Sequence, residues 1–190
     1  MVIGSSTGGP KALTEFFKGL DPALKIPIFI VQHLHIQFTE SLCQHLAEVS
    51  GRTFVVAKDQ MLVASGNVYV SPGDFHMVLK ESPKGPMICL NQEPPENFCR
   101  PAVDQLFRTA AEIYKTHLLA VVFTGMGEDG KRGCEVVERM GGYIIAQDEA
   151  SSVVWGMPGA VARAGLANEV LPLLQIAGRI KIITDKKRVA

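Results

Sequence analysis

The chain opens on a short apolar segment that runs directly into a turn rich in glycine. Met1-Val2-Ile3 is followed by Gly4, Gly8 and Gly9, and Pro10 stands where a helix can begin. Glycine adopts the backbone angles that a sharp turn requires, and proline is favoured at the first position of a helix. The opening therefore predicts a strand, a tight turn and a helix in succession.

The same pattern returns later in the chain. Residues 27–33 and 118–124 are continuous apolar runs rich in β-branched residues, too short for helices and typical of buried parallel strands. The second run leads into a glycine-rich loop, residues 125–133, and then into a helix that ends at Gly141-Gly142. This alternation predicts an α/β fold: a three-layer sandwich with a mostly parallel, doubly wound sheet between helices.

The remaining segments follow from periodicity and turn residues. Helices are predicted over residues 10–20, 38–50, 101–113 and 171–183, with a short one around residues 161–162, and the basic residues 186–188 as a solvated tail. Short strands are predicted at residues 53–57, 67–71, 76–80, 86–90 and 142–147. Within 53–91 we expect one parallel strand and then a small antiparallel hairpin excursion.

Composition limits the kind of protein. The 190 residues are 47% hydrophobic and 20% charged, which predicts a single globular domain over 1–190. Nineteen basic and nineteen acidic residues cancel, so we expect no nucleic-acid partner, and no apolar run reaches the roughly 18 residues that span a bilayer. The first strand has only three residues before its turn, which suggests that a further segment precedes it.

The cysteines give no sign of a metal or disulfide framework. Cys43, Cys89, Cys99 and Cys134 form no C-x-x-C pair, and no histidine has the spacing of a zinc partner. We therefore expect free thiols in a reducing cytoplasm, and neither a metal nor another cofactor.

Three residues at predicted strand ends are candidates for catalysis. Ser6 lies at the centre of G-x-S-x-G, a spacing that raises a serine hydroxyl on a strained turn, although serines here could simply cap the next helix. His33 ends the second strand, where it could instead bond a carbonyl group. Asp129 lies in the second glycine loop and could be the N-cap of the following helix.

Together these residue types suit nucleophilic catalysis. A serine hydroxyl needs a neighbouring imidazole to accept its proton, and a carboxylate fixes the tautomer of that imidazole. The backbone N–H groups of Thr7 and Met126 are candidate oxyanion donors. A neutral histidine base predicts a rate that falls as pH drops through about 6.5.

Two other functions remain open at this point. The segment Gly125-xxxx-Gly130-Lys131 approaches a nucleotide-binding P-loop, but Arg132 replaces the serine or threonine that would hold magnesium. A non-catalytic adaptor that binds helices is the second alternative.

Arg100 is a candidate substrate-binding residue. It could bind a substrate carboxylate, or it could simply be a surface charge at the start of a helix.

Six motifs, in this order, resemble the catalytic domain of the CheB family, the chemotaxis protein-glutamate methylesterases. They are Ile3-Gly4-Ser5-Ser6-Thr7-Gly8-Gly9, Gln32-His33, Tyr69-Val70-Ser71-Pro72-Gly73-Asp74-Phe75-His76-Met77, Arg100-Pro101-Ala102-Val103-Asp104 with Leu106-Phe107, Thr124-Gly125-Met126-Gly127-Glu128-Asp129-Gly130 and Trp155-Gly156-Met157-Pro158. The resemblance covers essentially the whole chain.

The resemblance implies a cytoplasmic serine hydrolase. Its substrates would be glutamate γ-methyl esters on the cytoplasmic helices of chemoreceptors, with methanol released and receptor glutamine deamidation as a second activity in some members. By motif, Ser6 is similar to the nucleophile of the family, His33 to the base and Asp129 to the acid.

The chain also departs from the pattern of the family. His35-Ile36-Gln37 replaces a segment that often contains proline, Ala102 stands where serine is usual, and Ser5 stands where alanine is frequent. Members commonly carry an N-terminal phosphoacceptor receiver domain that covers the active site, so a regulatory partner upstream or in trans is expected.

Overall fold

The computed structural model describes residues 1–188, with side chains described as far as residue 185. The strands are β1 (Val2–Ser5), β2 (Ile28–Gln32), β3 (Phe54–Val56), β4 (Met61–Leu62), β5 (Val68–Val70), β6 (His76–Lys80), β7 (Met87–Asn91), β8 (Leu119–Val122), β9 (Tyr143–Gln147) and β10 (Glu169–Leu171). The helices are α1 (Gly9–Gly19), α2 (Thr39–Ser50), α3 (Val103–Tyr114), α4 (Lys131–Arg139), α5 (Met157–Arg163) and α6 (Leu173–Arg188).

Seven strands form one parallel sheet, in the order β10-β9-β8-β1-β2-β5-β3. From β1 the chain winds outward through β2, then returns to place β8 against the other side of β1 and winds outward again through β9 and β10. The doubly wound α/β sandwich predicted from the sequence is therefore confirmed. The reversal of winding beside β1 creates the crevice where such sheets usually bind ligands.

Neighbouring residues of each central strand face opposite layers, because side chains alternate along a strand. Ile3 packs with Phe16, Phe17 and other residues of the α1, α2 and α6 layer. Val2 packs with Phe107 and the α3, α4 and α5 layer. Each large apolar side chain buried in this way stabilises the fold by about 1.5–3 kcal/mol.

The excursion over residues 53–91 differs in detail from the prediction. Strands β4, β7 and β6 form a separate antiparallel sheet, which confirms the hairpin. However, β5 is not part of it, because Val68–Val70 inserts between β2 and β3 of the parallel sheet, fully buried. Because β5 is buried on both faces, its sequence does not alternate between apolar and polar residues. The local pattern therefore could not show which strands it pairs with.

The end of the chain also differs. Strand β10 was not predicted, and the last helix begins at Leu173 and continues through Arg188. The side chains of residues 186–188, predicted to be a solvated tail, lie outside the described residues. In the described part of the chain no helix is long and apolar enough to cross a membrane.

Candidate active site

The carboxyl edge of the sheet brings Ser6 and His33 side by side. Ser5 pairs with Gln32 across β1 and β2, so the next residue of each strand emerges at the same level. The His33 N–H donates to the Ser5 carbonyl at 3.0 Å, and the Ser6 N–H donates to the Thr124 carbonyl at 3.0 Å. Strand register therefore places both candidate residues at the crevice beside β8.

Gln32 fixes the turn that carries Ser6. Its buried side-chain amide donates to the carbonyl groups of Ser6 and His33, both at 3.0 Å, and accepts a hydrogen bond of 2.7 Å from the Ser5 hydroxyl. A Cβ atom at Gly9 would lie only 1.9 Å from Gln32 Oε1, so glycine is required there. This role of Gln32 was not predicted from the sequence, although a glutamine at the end of a predicted buried strand was a signal for it.

His33 and Asp129 are joined directly. Nε2 of His33 lies 2.8 Å from Oδ2 of Asp129, and the two side chains are 14% and 2% exposed. Asp129 also accepts from the N–H groups of Val103 at 2.7 Å and Asp104 at 3.1 Å, at the start of α3. The predicted alternative, an N-cap for the following helix, is therefore wrong, because α4 begins after Gly130 and Asp129 caps α3 instead.

These contacts set the ionisation of the pair. Burial by itself raises the pKa of Asp129, but hydrogen bonds from His33 and from the helix N–H groups outweigh it, so the pKa lies below its ordinary value. Burial alone lowers the pKa of His33, whereas its hydrogen bonds to Asp129 and Cys99 and the nearby negative charge raise this pKa to about 9. Asp129 is thus a carboxylate that stabilises a protonated His33.

The second nitrogen of His33 faces a thiol. Nδ1 lies 3.5 Å from Cys99 Sγ, and no hydrogen bond joins His33 to the Ser6 hydroxyl among the described residues. The structure therefore brings together His33 and Asp129 as expected, and adds Cys99, which the sequence did not single out. His33, Cys99 and Asp129 each offer a ligand atom within 4.8 Å of the others, the one such His/Cys/Asp/Glu group in the described chain.

Cys99 reaches His33 through a tight turn over residues 96–99. Glu96 and Cys99 exchange backbone hydrogen bonds of 3.1 and 2.9 Å, and the two residues between them, Asn97 and Phe98, have φ angles of 52° and 63°. Left-handed backbone is uncommon for residues other than glycine, asparagine and aspartate, and Phe98 is an outlier. The Phe98 side chain is fully exposed beside the site.

The Asn97 amide bridges two buried carboxylates. Its Nδ2 atom donates to Asp104 Oδ2 at 2.8 Å and to Asp129 Oδ1 at 3.0 Å. Burial raises the pKa of Asp104 to about 6, and the charge of Asp129 adds to this rise. Asn97 therefore holds Asp129 in place and reduces the repulsion between the two groups. The only local signal for this role was an asparagine in a loop, a residue that tolerates left-handed backbone.

The candidate oxyanion donors lie on the two loops that flank Ser6. Among the described residues, the N–H groups of Thr7 and Met126 donate no hydrogen bond. A Cβ atom at Gly125 would lie 2.8 Å from the Ser6 Cβ, so the Gly125–Met126 backbone packs directly against the serine. The hydroxyl of Thr124 holds the Thr7 carbonyl at 2.9 Å.

Two cationic residues singled out in the sequence are engaged locally. The Arg100 guanidinium donates to the carbonyl groups of Gln92 at 3.4 Å and Glu93 at 3.3 Å. Lys131 pairs with Glu128 at 3.5 Å, on the first turn of α4.

The fold and this strand edge define a three-layer α/β protein with a polar site at its topological switch point. Residues 1–180 match the family model described as CheB methylesterase. The chain belongs to the CheB methylesterase family, and this membership replaces the nucleotide-binding interpretation of the second glycine loop.

Individual proteins agree with the family model. The chain is 47% identical over 191 residues to protein-glutamate methylesterase/protein-glutamine glutaminase 1 of Rhodospirillum rubrum, covering 98% of this chain and 49% of the relative. It is 51% identical over 177 residues to protein-glutamate methylesterase/protein-glutamine glutaminase 2 of Caulobacter vibrioides, covering 93% and 51%. The chain spans about half the length of these curated relatives.

A solved structure supports the fold in the same way. The crystal structure of the Thermotoga maritima CheB methylesterase catalytic domain superposes with a TM-score of 0.91 at 43% identity, covering 94% of each chain. The similarity therefore extends over nearly the whole domain.

Proposed function

We propose that this chain is the catalytic domain, over residues 1–190, of a cytoplasmic protein-glutamate methylesterase. It hydrolyses glutamate γ-methyl esters on the cytoplasmic helices of chemoreceptors and releases methanol, and it deamidates receptor glutamines by the same route. The observation that carries the proposal is the partly buried His33–Asp129 hydrogen bond of 2.8 Å at the sheet edge that also carries the Ser6 turn. Family membership supplies the substrate class.

The hydrogen bond to Asp129 supports Nδ1 of His33 as the base. An ionised carboxylate only accepts hydrogen bonds, so Nε2 carries a proton whenever it faces Asp129. In neutral His33 the free lone pair is therefore on Nδ1, and this atom accepts the proton of the Ser6 hydroxyl. Cys99 Sγ faces this same nitrogen at 3.5 Å.

The reaction proceeds through an acyl-enzyme. Ser6 Oγ attacks the ester carbonyl carbon while its proton moves to His33 Nδ1, and the resulting imidazolium is stabilised by Asp129. The imidazolium then protonates the departing methoxide, which leaves as methanol. Water, deprotonated by His33, attacks the acyl-enzyme and regenerates Ser6 and a glutamate carboxylate. A glutamine substrate loses ammonia in place of methanol.

Negative charge on the carbonyl oxygen is stabilised by the N–H groups of Thr7 and Met126. Two preorganised donors of this kind typically contribute several kcal/mol to catalysis, since removal of one donor costs about 2.7–4 kcal/mol. Both amides lack an internal partner among the described residues and can therefore donate to the substrate.

Substrate contacts surround this edge. The apolar side chains of Phe98, Met126 and Val153 are 102%, 69% and 64% exposed, and a helix with apolar residues beside the modified glutamate would cover them. Arg100 is the proposed polar contact, because its two long bonds to carbonyl groups can be exchanged for bonds to substrate. A phosphoacceptor receiver domain, upstream or in trans, would control access.

Methanol release tests the proposal. Methylated cytoplasmic fragments of chemoreceptors are incubated with the protein and with the Ser6→Ala variant, and released methanol is quantified. Release by the wild type that is lost in the variant supports the esterase. Binding of the fragments without release by either protein would instead support the non-catalytic adaptor.

A further inference from the structure

The thiol of Cys99 and the imidazole of His33 form a pair at the active site that hydrolysis does not require. We propose that Cys99 Sγ and His33 Nδ1 bind Zn²⁺ or another thiophilic divalent cation, and that a cation held there inhibits the enzyme. Binding itself is independent of the proposed esterase function, whereas the inhibition rests on it.

The spacing of the two atoms matches zinc. A tetrahedral site with a Zn–S bond of about 2.3 Å and a Zn–N bond of about 2.0–2.1 Å places sulfur and nitrogen about 3.5 Å apart. The Cys99 Sγ to His33 Nδ1 distance is 3.5 Å. The cation can therefore replace the thiol proton without a large movement of either side chain.

Asp129 completes the arrangement from the other side of the ring. Histidine ligands of metal ions usually donate their second N–H to a carboxylate, which fixes the tautomer and strengthens the ligand. Nε2 of His33 already lies 2.8 Å from Asp129 Oδ2, so Nδ1 is the ring nitrogen that binds the cation, in exchange for its proton where the ring is protonated. Asp129 in turn is held by the start of α3 and by Asn97.

The four cysteines provide an internal comparison. Cys43 and Cys134 are buried, and burial raises the pKa of Cys43 to about 12 and that of Cys134 well above its ordinary value, which disfavours the thiolate that metals bind. Cys89 is half-buried like Cys99 but has no histidine beside it among the described contacts. Cys99 alone combines partial access with an imidazole ligand.

Inhibition follows from the identity of the occupied atom. A cation on Nδ1 takes the lone pair that would accept the Ser6 proton. With two protein ligands, the remaining positions are open to water, so the cation exchanges with solvent and chelators remove it.

Binding is tested with Co²⁺, whose thiolate complexes absorb in the near ultraviolet by ligand-to-metal charge transfer. The wild type and the matched control Cys89→Ser should develop this absorption, whereas Cys99→Ala should not. Asp129→Asn should bind about 10–100-fold more weakly, as expected for loss of an outer carboxylate. No absorption in the wild type with a large excess of Co²⁺, or equal absorption in Cys99→Ala, would overturn the site.

Inhibition is measured separately as methanol release with added Zn²⁺. Zn²⁺ should inhibit the wild type and Cys89→Ser, and a chelator should restore their activity. Inhibition of Cys99→Ala should require at least about tenfold more Zn²⁺, because loss of a direct ligand should weaken binding at least as much as loss of a carboxylate that only holds a ligand in place. If Co²⁺ binds at Cys99 but wild-type activity is unchanged by Zn²⁺, inhibition is refuted. If no variant hydrolyses ester, the Co²⁺ result still decides whether the site exists.

Discussion

His33 Nε2 and Asp129 Oδ2 lie 2.8 Å apart although the two residues are 96 positions apart in the chain. This hydrogen bond ties the end of β2 to the loop after β8. Because Nε2 is committed to Asp129, Nδ1 is the only ring nitrogen left to serve Ser6 or to bind a cation. This contact therefore fixes the tautomer of neutral His33, and both the proposed proton transfer from Ser6 and the proposed cation site rest on it.

The adjacent serines should behave differently when replaced by alanine. Ser6→Ala removes the proposed nucleophile, so ester hydrolysis should fall by at least about 10³-fold with no loss of thermal stability. Ser5→Ala removes the buried hydrogen bond to Gln32, which costs about 1–3 kcal/mol, but leaves the nucleophile in place. Methanol release and thermal unfolding distinguish the two, and full turnover by Ser6→Ala would contradict the assignment.

The pH dependence should reflect the raised pKa of His33. Since that pKa is about 9, the ring is protonated at neutral pH and the base form increases as pH rises towards 9, so kcat/KM of the free enzyme should rise through this range. From the sequence alone, kcat/KM was predicted to rise with pH around 6.5. Asp129→Asn should move this rise in the pH profile to lower pH and should lower kcat by about 10³–10⁴-fold. If the rise stays at the same pH in the variant, a group other than His33 titrates.

The raised pKa of His33 also makes the free energy of unfolding depend on pH. A histidine whose pKa is raised by folding stabilises the native state fully below its ordinary pKa of 6.5, and this contribution is lost as pH rises through about 9. Denaturant unfolding of the wild type should therefore show declining stability over this range, and His33→Ala should reduce the slope.

Asn97 should be a positioning residue whose backbone and side chain can be separated. Asn97→Gly keeps the left-handed backbone but leaves Asp104 and Asp129 without their shared donor, so kcat should fall about 10–100-fold with KM unchanged. Asn97→Ala should lose the same activity and a further 1 kcal/mol or so of stability, because alanine resists a φ of 52°. Steady-state kinetics and unfolding measure the two effects; wild-type kcat in Asn97→Gly would exclude the role.

The two loop glycines next to Met126 offer a matched test of crowding. A Cβ at Gly125 would lie 2.8 Å from Ser6 Cβ and 2.3 Å from Met157 Sδ, so Gly125→Ala should displace the serine and lower kcat by about 10²-fold. Gly127→Ala meets no atom within 4 Å and should cost only about 1 kcal/mol of stability from its φ of 83°. Equal loss of activity in Gly125→Ala and Gly127→Ala would argue against close packing of Gly125 against Ser6 as the cause.

Phe98 should affect substrate binding rather than chemistry. Phe98→Ala removes a fully exposed ring, and both residues must adopt the same left-handed backbone at this position. KM for receptor fragments should therefore rise by about fivefold or more, and kcat should stay constant. Ile182→Ala, at an exposed position of α6 on the helical layer, is the control and should change neither constant. An unchanged KM in Phe98→Ala would remove this residue from the proposed contact surface.

Much of the fold could be predicted because its signals are local. The glycine turn after residue 3 and the apolar run before Gly125 each mark a strand and a helix with little ambiguity, and they place Ser6 and Asp129 at strand ends. Strand β10 and the insertion of β5 into the main sheet were not predicted, because three-residue strands carry too little pattern to select a partner.

The sequence by itself determined the α/β class, because the spacing of apolar and turn residues encodes local conformation directly. The resemblance of its six motifs indicated the family and the three residues of the proposed triad. Only the tertiary structure decided that Asp129 caps α3, that Nδ1 faces Cys99 and that Asn97 joins two carboxylates. The last two relations depend on a turn over residues 96–99 that contains no glycine, and all three depend on contacts between residues far apart in the chain. Such contacts arise from packing of distant segments against one sheet, and no local spacing records them.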